Sequence, residues 1–292
     1  MNPMQILRTG LIALVAVAAD VSAETPDAPG VARADEDNLY VETGDYAAKF
    51  VRDCAWTLRD VNFKGAKLLV PVGWQQSVLN VKVASGEDPW IGTGHGREVI
   101  ESVQLIADGD AQDVAPGLSA QGTAFAVHKQ SWLGPYFHTS KVTVSPDGIR
   151  EDFHFAVKKD TSRVNFIYVF MHCFTNDTRT WIAGLGNGEE VSGVFKDDAS
   201  FSLHKDIRWA MVYAPATGIG AVYAYPEVYP SMEGKGNMFW NRKGDNKLYL
   251  KVDPKRVIGE EFAYSVRLKA FKADEAAWES VARQVLAALL GG

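Results

Sequence analysis

The chain has 292 residues, with 30 Lys and Arg against 36 Asp and Glu and a formal net charge of −6. That balance, without a basic cluster, argues against nucleic acid or an anionic membrane as partner. Two cysteines, Cys54 and Cys173, exclude a disulfide scaffold; in an oxidising compartment they can form one bridge, a question that spacing alone leaves open. No CxxC or Cys/His zinc spacing occurs, so neither metal nor cofactor is expected.

The first element is an apolar run, Leu11 to Ala19, behind Arg8 and ahead of the small residues Val21-Ser22-Ala23. Charged, apolar and small residues in that order predict a secretory signal peptide over 1–23, cleaved to leave Glu24 first. The run is too short for a stable membrane span, so the mature chain is expected to be secreted or periplasmic without an anchor. Residues 24–38 are polar, aperiodic and rich in Pro and Asp, which predicts a flexible leader. Residues 39–292 then form a single domain.

Strand signals dominate from about residue 39 to 271. Short apolar or alternating runs recur, separated by turn chemistry at Asp147-Gly148, Asp160-Thr161-Ser162, Gly186-Asn187-Gly188 and Gly244-Asp245-Asn246. No fixed-period repeat is present, which disfavours a propeller or solenoid.

The richest stretch runs from Gly73 to Gly109. Trp74, Gln75 and Trp90 sit in loops, and Gly92, Gly94 and Gly96 allow sharp backbone turns around His95. Arg97 and Glu98 then lead into a strand. A loop that presents His, Arg and Glu beside aromatics is a candidate polar site, with the histidine as acid or base near neutral pH. The alternative is a Gly-rich loop whose Arg97 and Glu98 pair at the surface. Glu101, two residues after Val99, is expected as a buried paired acid or a cleft residue. No GK[ST] follows, so the glycines are not a phosphate loop.

Further along, a turn near Thr161 predicts a hairpin of Arg150–Val157 with Val164–Phe174, Phe155 facing Ile167. Period-two alternation then puts Glu151, Phe153, Phe155, Ile167, Val169, Met171 and Cys173 on one, apolar, face. The other face carries Arg150, Asp152, His154, Phe166, Tyr168, Phe170 and His172. That mixture suits stacking on sugar rings and hydrogen bonding to hydroxyls; the alternative is a second packed layer covering it. A second hairpin, Arg208–Ala214 with Gly220–Tyr225, aligns Trp209, Met211 and Tyr213 with Tyr225, Tyr223 and Ala221 and reads as core. Beyond it, Tyr229 and Trp240 flank a Gly-containing stretch, SMEGKGNMF, expected as the rim of a cleft. The last element is a helix over Ala276 to Leu290, with Trp278, Val281, Val285 and Leu289 on one stripe and Asp274 as N-cap. It is expected to clasp a sheet. More than ten strands and one late helix give an all-β fold of two large packed antiparallel sheets.

Several segments together carry a family resemblance: WTLRDVNFKGAKLL (Trp56 to Leu69), Trp90 to Gly109, the mid-chain strand with His172, and VIGEEFAYSVRLKAF (Val257 to Phe271) before the helix. In this arrangement the chain resembles the galactose mutarotase-like superfamily, which includes the aldose 1-epimerases. The resemblance implies a supersandwich of two curved antiparallel sheets, a sugar ligand on a concave face, and a histidine acid with a glutamate base. His172 matches the histidine's mid-sheet position; Glu227 is the nearer match for the glutamate and Glu261 the poorer one. The expected function is a secreted carbohydrate-active protein, an epimerase or a polysaccharide-cleaving lyase. His172, His95, Glu98 and Arg150 are the candidate catalytic residues. Arg97, His154, Tyr168, Trp74 and Trp90 are the candidate substrate-binding residues. A non-catalytic carbohydrate-binding domain is the alternative, and an exported structural protein without a small ligand the third reading. A metal held by His95, His154 and His172 ranks below a sugar site.

Overall fold

The computed structural model describes residues 29–71, 77–81, 90–229, 236–242, 244–252 and 260–291. The expected signal peptide, residues 24–28, Trp74, Gln75 and most of the SMEGKGNMF stretch lie outside them. Turn-forming residues cut the described chain into short strands. The first are β1 (Gly30–Ala34), β2 (Asn38–Thr43), β3 (Tyr46–Val51), β4 (Thr57–Phe63), β5 (Ala66–Leu69), β6 (Val78–Val81) and β7 (Trp90–Gly92). Then come β8 (Glu98–Ala107), β9 (Asp110–Asp113), β10 (Ser119–Gly122), β11 (Phe125–Leu133), β12 (Tyr136–Ser145), β13 (Gly148–Val157) and β14 (Val164–Phe174). The rest are β15 (Thr180–Leu185), β16 (Glu190–Val194), β17 (Phe201–Lys205), β18 (Ile207–Ala214), β19 (Ile219–Ala224), β20 (Asn237–Arg242), β21 (Asp245–Val252) and β22 (Glu261–Lys272). Helix α1 (Trp278–Gly291) ends the described chain.

The strands form two antiparallel sheets. The first runs β10-β1-β2-β3-β4-β5-β14-β21-β20-β17, with β6 pairing to β14 and β7. The second runs β16-β15-β18-β19-β22-β13-β12-β11-β8-β9. Their facing sides interdigitate around one apolar core that includes Phe50, Leu58, Leu79, Phe125, Phe155, Ile167, Phe170, Phe174 and Leu248. Alternation explains the layer: in β12, Tyr136, His138, Ser140, Val142 and Val144 are buried while their neighbours are not.

Helix α1 covers the outer side of the second sheet at β18, β19 and β22, as its apolar stripe requires. Ala282 and Leu286 are buried there against Trp209, Met211, Tyr213 and Phe271, with Trp278, Val281, Val285 and Leu289 at the margin. Trp278 stacks on Tyr213, ring centroids 5.2 Å apart. Asp274 lies one turn too early to cap this helix; its carbonyl instead accepts from Ala277 N–H in the turn before it.

Four expectations change. Residues 30–34 are strand, not leader: β1 pairs with β2 and β10 and buries Ala32 and Ala34. The small side chains fit against a sheet despite the polar composition around them. The hairpin of Arg150–Val157 with Val164–Phe174 does not exist. β13 lies between β12 and β22 in the second sheet, with Phe155 opposite Phe262, whereas β14 lies in the first sheet. Residues 158–163 cross between the layers, held where Lys158 and Lys159 N–H donate to the Pro135 carbonyl. Each strand has an apolar face, and in a sandwich those faces meet across the core rather than side by side.

Along β14 the alternation holds through Val169, with Ile167 and Val169 in the core, and inverts beyond it. A register shift leaves Val169 as an extra residue opposite β21, so Phe170, His172 and Phe174 turn into the core while Met171 turns outward. Finally, β18 and β19 do form the second expected hairpin, but one residue out of register: Trp209 faces Ala224 and Met211 faces Val222. Trp209, Met211 and Tyr213 therefore face the helix, and Tyr223 and Tyr225 face the core. Both cysteines are free, with Cys173 buried.

Candidate functional site

The candidate residues occupy four separate places. His172 is 0% exposed, inside the sandwich. Its Nε2 lies 2.5 Å from Glu151 Oε1 and its Nδ1 2.9 Å from the Tyr223 hydroxyl. With Nε2–H donating to the carboxylate, Nδ1 accepts from the phenol. Glu151 and Tyr223 belong to the second sheet and His172 to the first, so this trio ties the layers together. Solvent does not reach it, which removes His172 from the expected surface site.

Glu98, expected in the surface site, is buried as well. Its carboxylate is buried with Lys129, Nζ to Oε1 2.8 Å, side chains 2% and 3% exposed. Lys129 also donates to the Ala55 carbonyl at 3.0 Å, and Ser131 Oγ donates to Glu98 at 2.8 Å. Ser131 lies 3.5 Å from His138 Nδ1, whose Nε2 is 3.5 Å from Ser77 Oγ. These groups form a buried polar chain under the Gly92–Gly96 loop. His138 is held neutral, its pKa pushed well below the usual histidine range by burial first, then by the Lys129 and His154 charges. The alternation of β11 carries a signal for this cluster: Lys129 and Ser131 fall in step with Val127 and Leu133, on the inward side. Glu101, expected as a buried or cleft acid, is the extra residue of a bulge in β8; it is exposed and accepts from Trp132 Nε1 at 2.7 Å.

Arg150 and His154 lie on the outer side of the second sheet. Arg150 forks onto Asp152, which accepts from Ser265 Oγ, and His154 Nε2 is 3.4 Å from Glu261. A cleft of about 400 Å³ opens here, lined by His128, Asp152, His154, Glu227 and Tyr229 among others. Both glutamates matched by resemblance are thus near His154, and neither is near His172.

The fourth place is the outer side of the first sheet, and it gathers Trp90, His95 and Tyr168. The Trp90 ring stacks on Tyr168 at 5.6 Å and on His95 at 5.7 Å, with Phe166 edge-on at 5.7 Å. Tyr168 leads to Tyr249 at 4.8 Å, Tyr249 to Trp240 at 6.4 Å, and Trp240 to Phe201 and on to His204. The result is a stripe of aromatic rings crossing β7, β14, β21, β20 and β17. The alternation of β21 produces it, with Lys247, Tyr249 and Lys251 outward and Leu248, Leu250 and Val252 in the core. Underneath, Val78, Met171 and Met238 fill the gaps between rings. The stripe is partly open: Phe201 is 51% exposed, and Trp90, Phe166, Tyr168 and Trp240 are half-buried. Trp90, expected in a loop, opens strand β7, and Trp240, expected at a cleft rim, lies in β20; Tyr249 and Phe201 carried no signal of their own, because only strand pairing brings them alongside. Arg97, with φ of 63° in the left-handed region, is exposed beside the His95 loop. Among the described residues, no group of three or more His, Cys, Asp or Glu is placed to hold a metal ion.

No family model matches the chain, and no curated protein matches it. Solved structures do. An α-N-acetylgalactosaminidase from Bifidobacterium bifidum, in complex with GalNAc, superposes with a TM-score of 0.56 at 8% identity. The match covers 86% of this chain but only 38% of the enzyme. A candidate aldose 1-epimerase from Escherichia coli K12 matches with a TM-score of 0.47 at 9% identity, covering 80% of this chain and 98% of that one. A galactose mutarotase-like protein from Clostridium acetobutylicum gives 0.46 at 9% identity, covering 81% and 95%. At such identities likeness concerns the fold alone. The two large antiparallel sheets expected from the sequence are thus a fold shared with part of the α-N-acetylgalactosaminidase.

Proposed function

We propose that the chain is an exported carbohydrate-binding protein that holds glycan rings against the aromatic stripe of its first sheet. The observation that carries this reading is the stripe itself, with His95, Trp90, Phe166 and Tyr168 partly exposed at one end, Trp240 and Phe201 at the other, and the buried Tyr249 ring joining them. Rings of this kind offer flat apolar faces to the C–H faces of sugars and polar tips to their hydroxyls. The sugar-bound enzyme with the same fold supports it. Binding is favoured over epimerase or lyase chemistry because His172 and Glu98 are sealed in the core and paired, away from His95 and Arg150. A general acid or base has to reach the proton it moves.

Replacing Trp90 by alanine is expected to weaken glycan affinity about tenfold, roughly 1.4 kcal/mol, the size of a lost stacking contact with its buried area. F201A, at the exposed end, is expected to weaken it with an unchanged melting temperature. Titration calorimetry against a polysaccharide panel checks both; wild-type affinity in both variants would remove the stripe from the binding site. Export rests on Arg8, the Leu11–Ala19 run and Val21-Ser22-Ala23. N-terminal sequencing of exported protein is expected to start at Glu24, and recovery of Met1 would contradict it.

A further inference from the structure

Resting on that reading of the stripe, we infer that its ligand is an acidic polysaccharide, a polyuronate whose rings stack on the aromatics and whose carboxylates meet Lys251 and Arg242.

The charges on this face point to it. Lys251 Nζ sits over the Phe166 ring, 4.0 Å from its centroid, and has no ion-pair partner among the described residues. Burial pulls its pKa below the ordinary lysine value, a cost that an arriving carboxylate offsets. Arg242 lies over the Trp240 ring at 5.5 Å with its side chain 41% exposed. Its acidic partner, Asp245, is buried and is shared with Lys247, which is buried too, at 3.4 Å and 3.6 Å respectively. Along β20 and β21 the stripe therefore has three cations against one carboxylate, on a chain whose net charge is −6. A local positive excess on an acidic protein attracts anionic chains and repels nothing that a neutral glycan would need.

The geometry selects among anions. The Arg242 guanidinium is a planar fork suited to a carboxylate, and it is already stacked on an indole. The register pairs Asn237 with Leu250 and Arg242 with Asp245, so Arg242 and Lys251 lie about six residues apart along the strands. At roughly 3.3 Å per residue that is about 20 Å, with Trp240 and Tyr249 between. One sugar ring does not bridge that distance; an extended chain bearing repeated carboxylates does.

The test compares polygalacturonate with its fully methyl-esterified form, which keeps the rings and loses the charge, and with dextran sulfate and neutral galactan. Wild-type protein is expected to bind polygalacturonate at least tenfold more tightly than the ester, with affinity falling as salt rises. The double variant K251A/R242A is expected to lose that tenfold preference and most of the salt dependence while binding the ester as before. Equal binding of acid and ester, or preference for galactan or for dextran sulfate, would overturn the acidic-polyuronate assignment and leave the glycan platform standing. No binding to any glycan would overturn both. Unchanged polygalacturonate affinity in the double variant would place the acid-binding groups elsewhere.

Discussion

H172A is expected to lower the unfolding free energy by about 3–5 kcal/mol, the cost of leaving a buried carboxyl group without its hydrogen-bond donor. The residue is 0% exposed, and its loss leaves the Glu151 carboxylate facing the Tyr223 hydroxyl across a cavity in the core. Glu151 is already short of partners: its Oε2 accepts no hydrogen bond among the described residues. For a domain of this size the change corresponds to a fall in melting temperature of roughly 10 °C. E151L/H172L, which removes both polar groups and keeps the volume apolar, is expected to recover much of the loss, since replacing a buried pair is often close to neutral. Glycan affinity of folded H172A is expected to match the wild type. Denaturant unfolding and calorimetric titration decide the matter. Normal stability with lost binding would return His172 to a ligand site.

The Lys129 cluster gives the second large effect. K129M strips Glu98 of its ion pair and Ala55 of a donor to its carbonyl, in a place with almost no solvent. The expected cost is again about 3–5 kcal/mol, whereas E98Q/K129M is expected to lose much less, because no uncompensated charge stays behind. A double-mutant cycle by denaturant unfolding measures the coupling; additive single effects would show that the pair is not coupled. His138 adds a pH signature. Its folded pKa lies below the unfolded value of about 6.5, so the unfolded chain binds the proton first as pH falls. Stability from its burial is thus complete above pH 6.5 and is lost on acidification below that, by up to about 1.4 kcal/mol per pH unit. H138Q is expected to flatten this slope between pH 6.5 and 5.5, whatever it does to absolute stability. An unchanged slope would mean that His138 is protonated in the fold.

The two clusters show why a polar residue in a strand is hard to assign from its pattern. His172 and Glu98 were legible as chemistry-bearing residues, and the histidine matched a family position. What they touch depends on which strands lie across the core, and those are distant in the chain: Glu151 is 21 residues and Tyr223 51 residues from His172. Bulges add to the difficulty. One extra residue at Val169 moved Phe170 and His172 from the outer face to the core, and another at Glu101 moved that carboxylate into solvent.

Local chemistry in the sequence was sufficient for the all-β class, the turns at Asp147-Gly148, Gly186-Asn187-Gly188 and Gly244, and the amphipathic helix with its apolar stripe. Each of these depends on residues within a few positions of one another, through backbone preference or side-chain periodicity. Tertiary structure alone decided that β13 and β14 belong to different sheets, that residues 30–34 form a strand between β10 and β2, and that Tyr249, Trp240 and Phe201 continue the stripe begun by Trp90 and Tyr168. Period-two alternation states which side chains share a face, but the pairing energy of a strand comes from whichever partner the rest of the chain brings beside it. That choice is made by burial across the whole sandwich, where β14 gains more from β6 and β21 on its flanks than from the strand that precedes it.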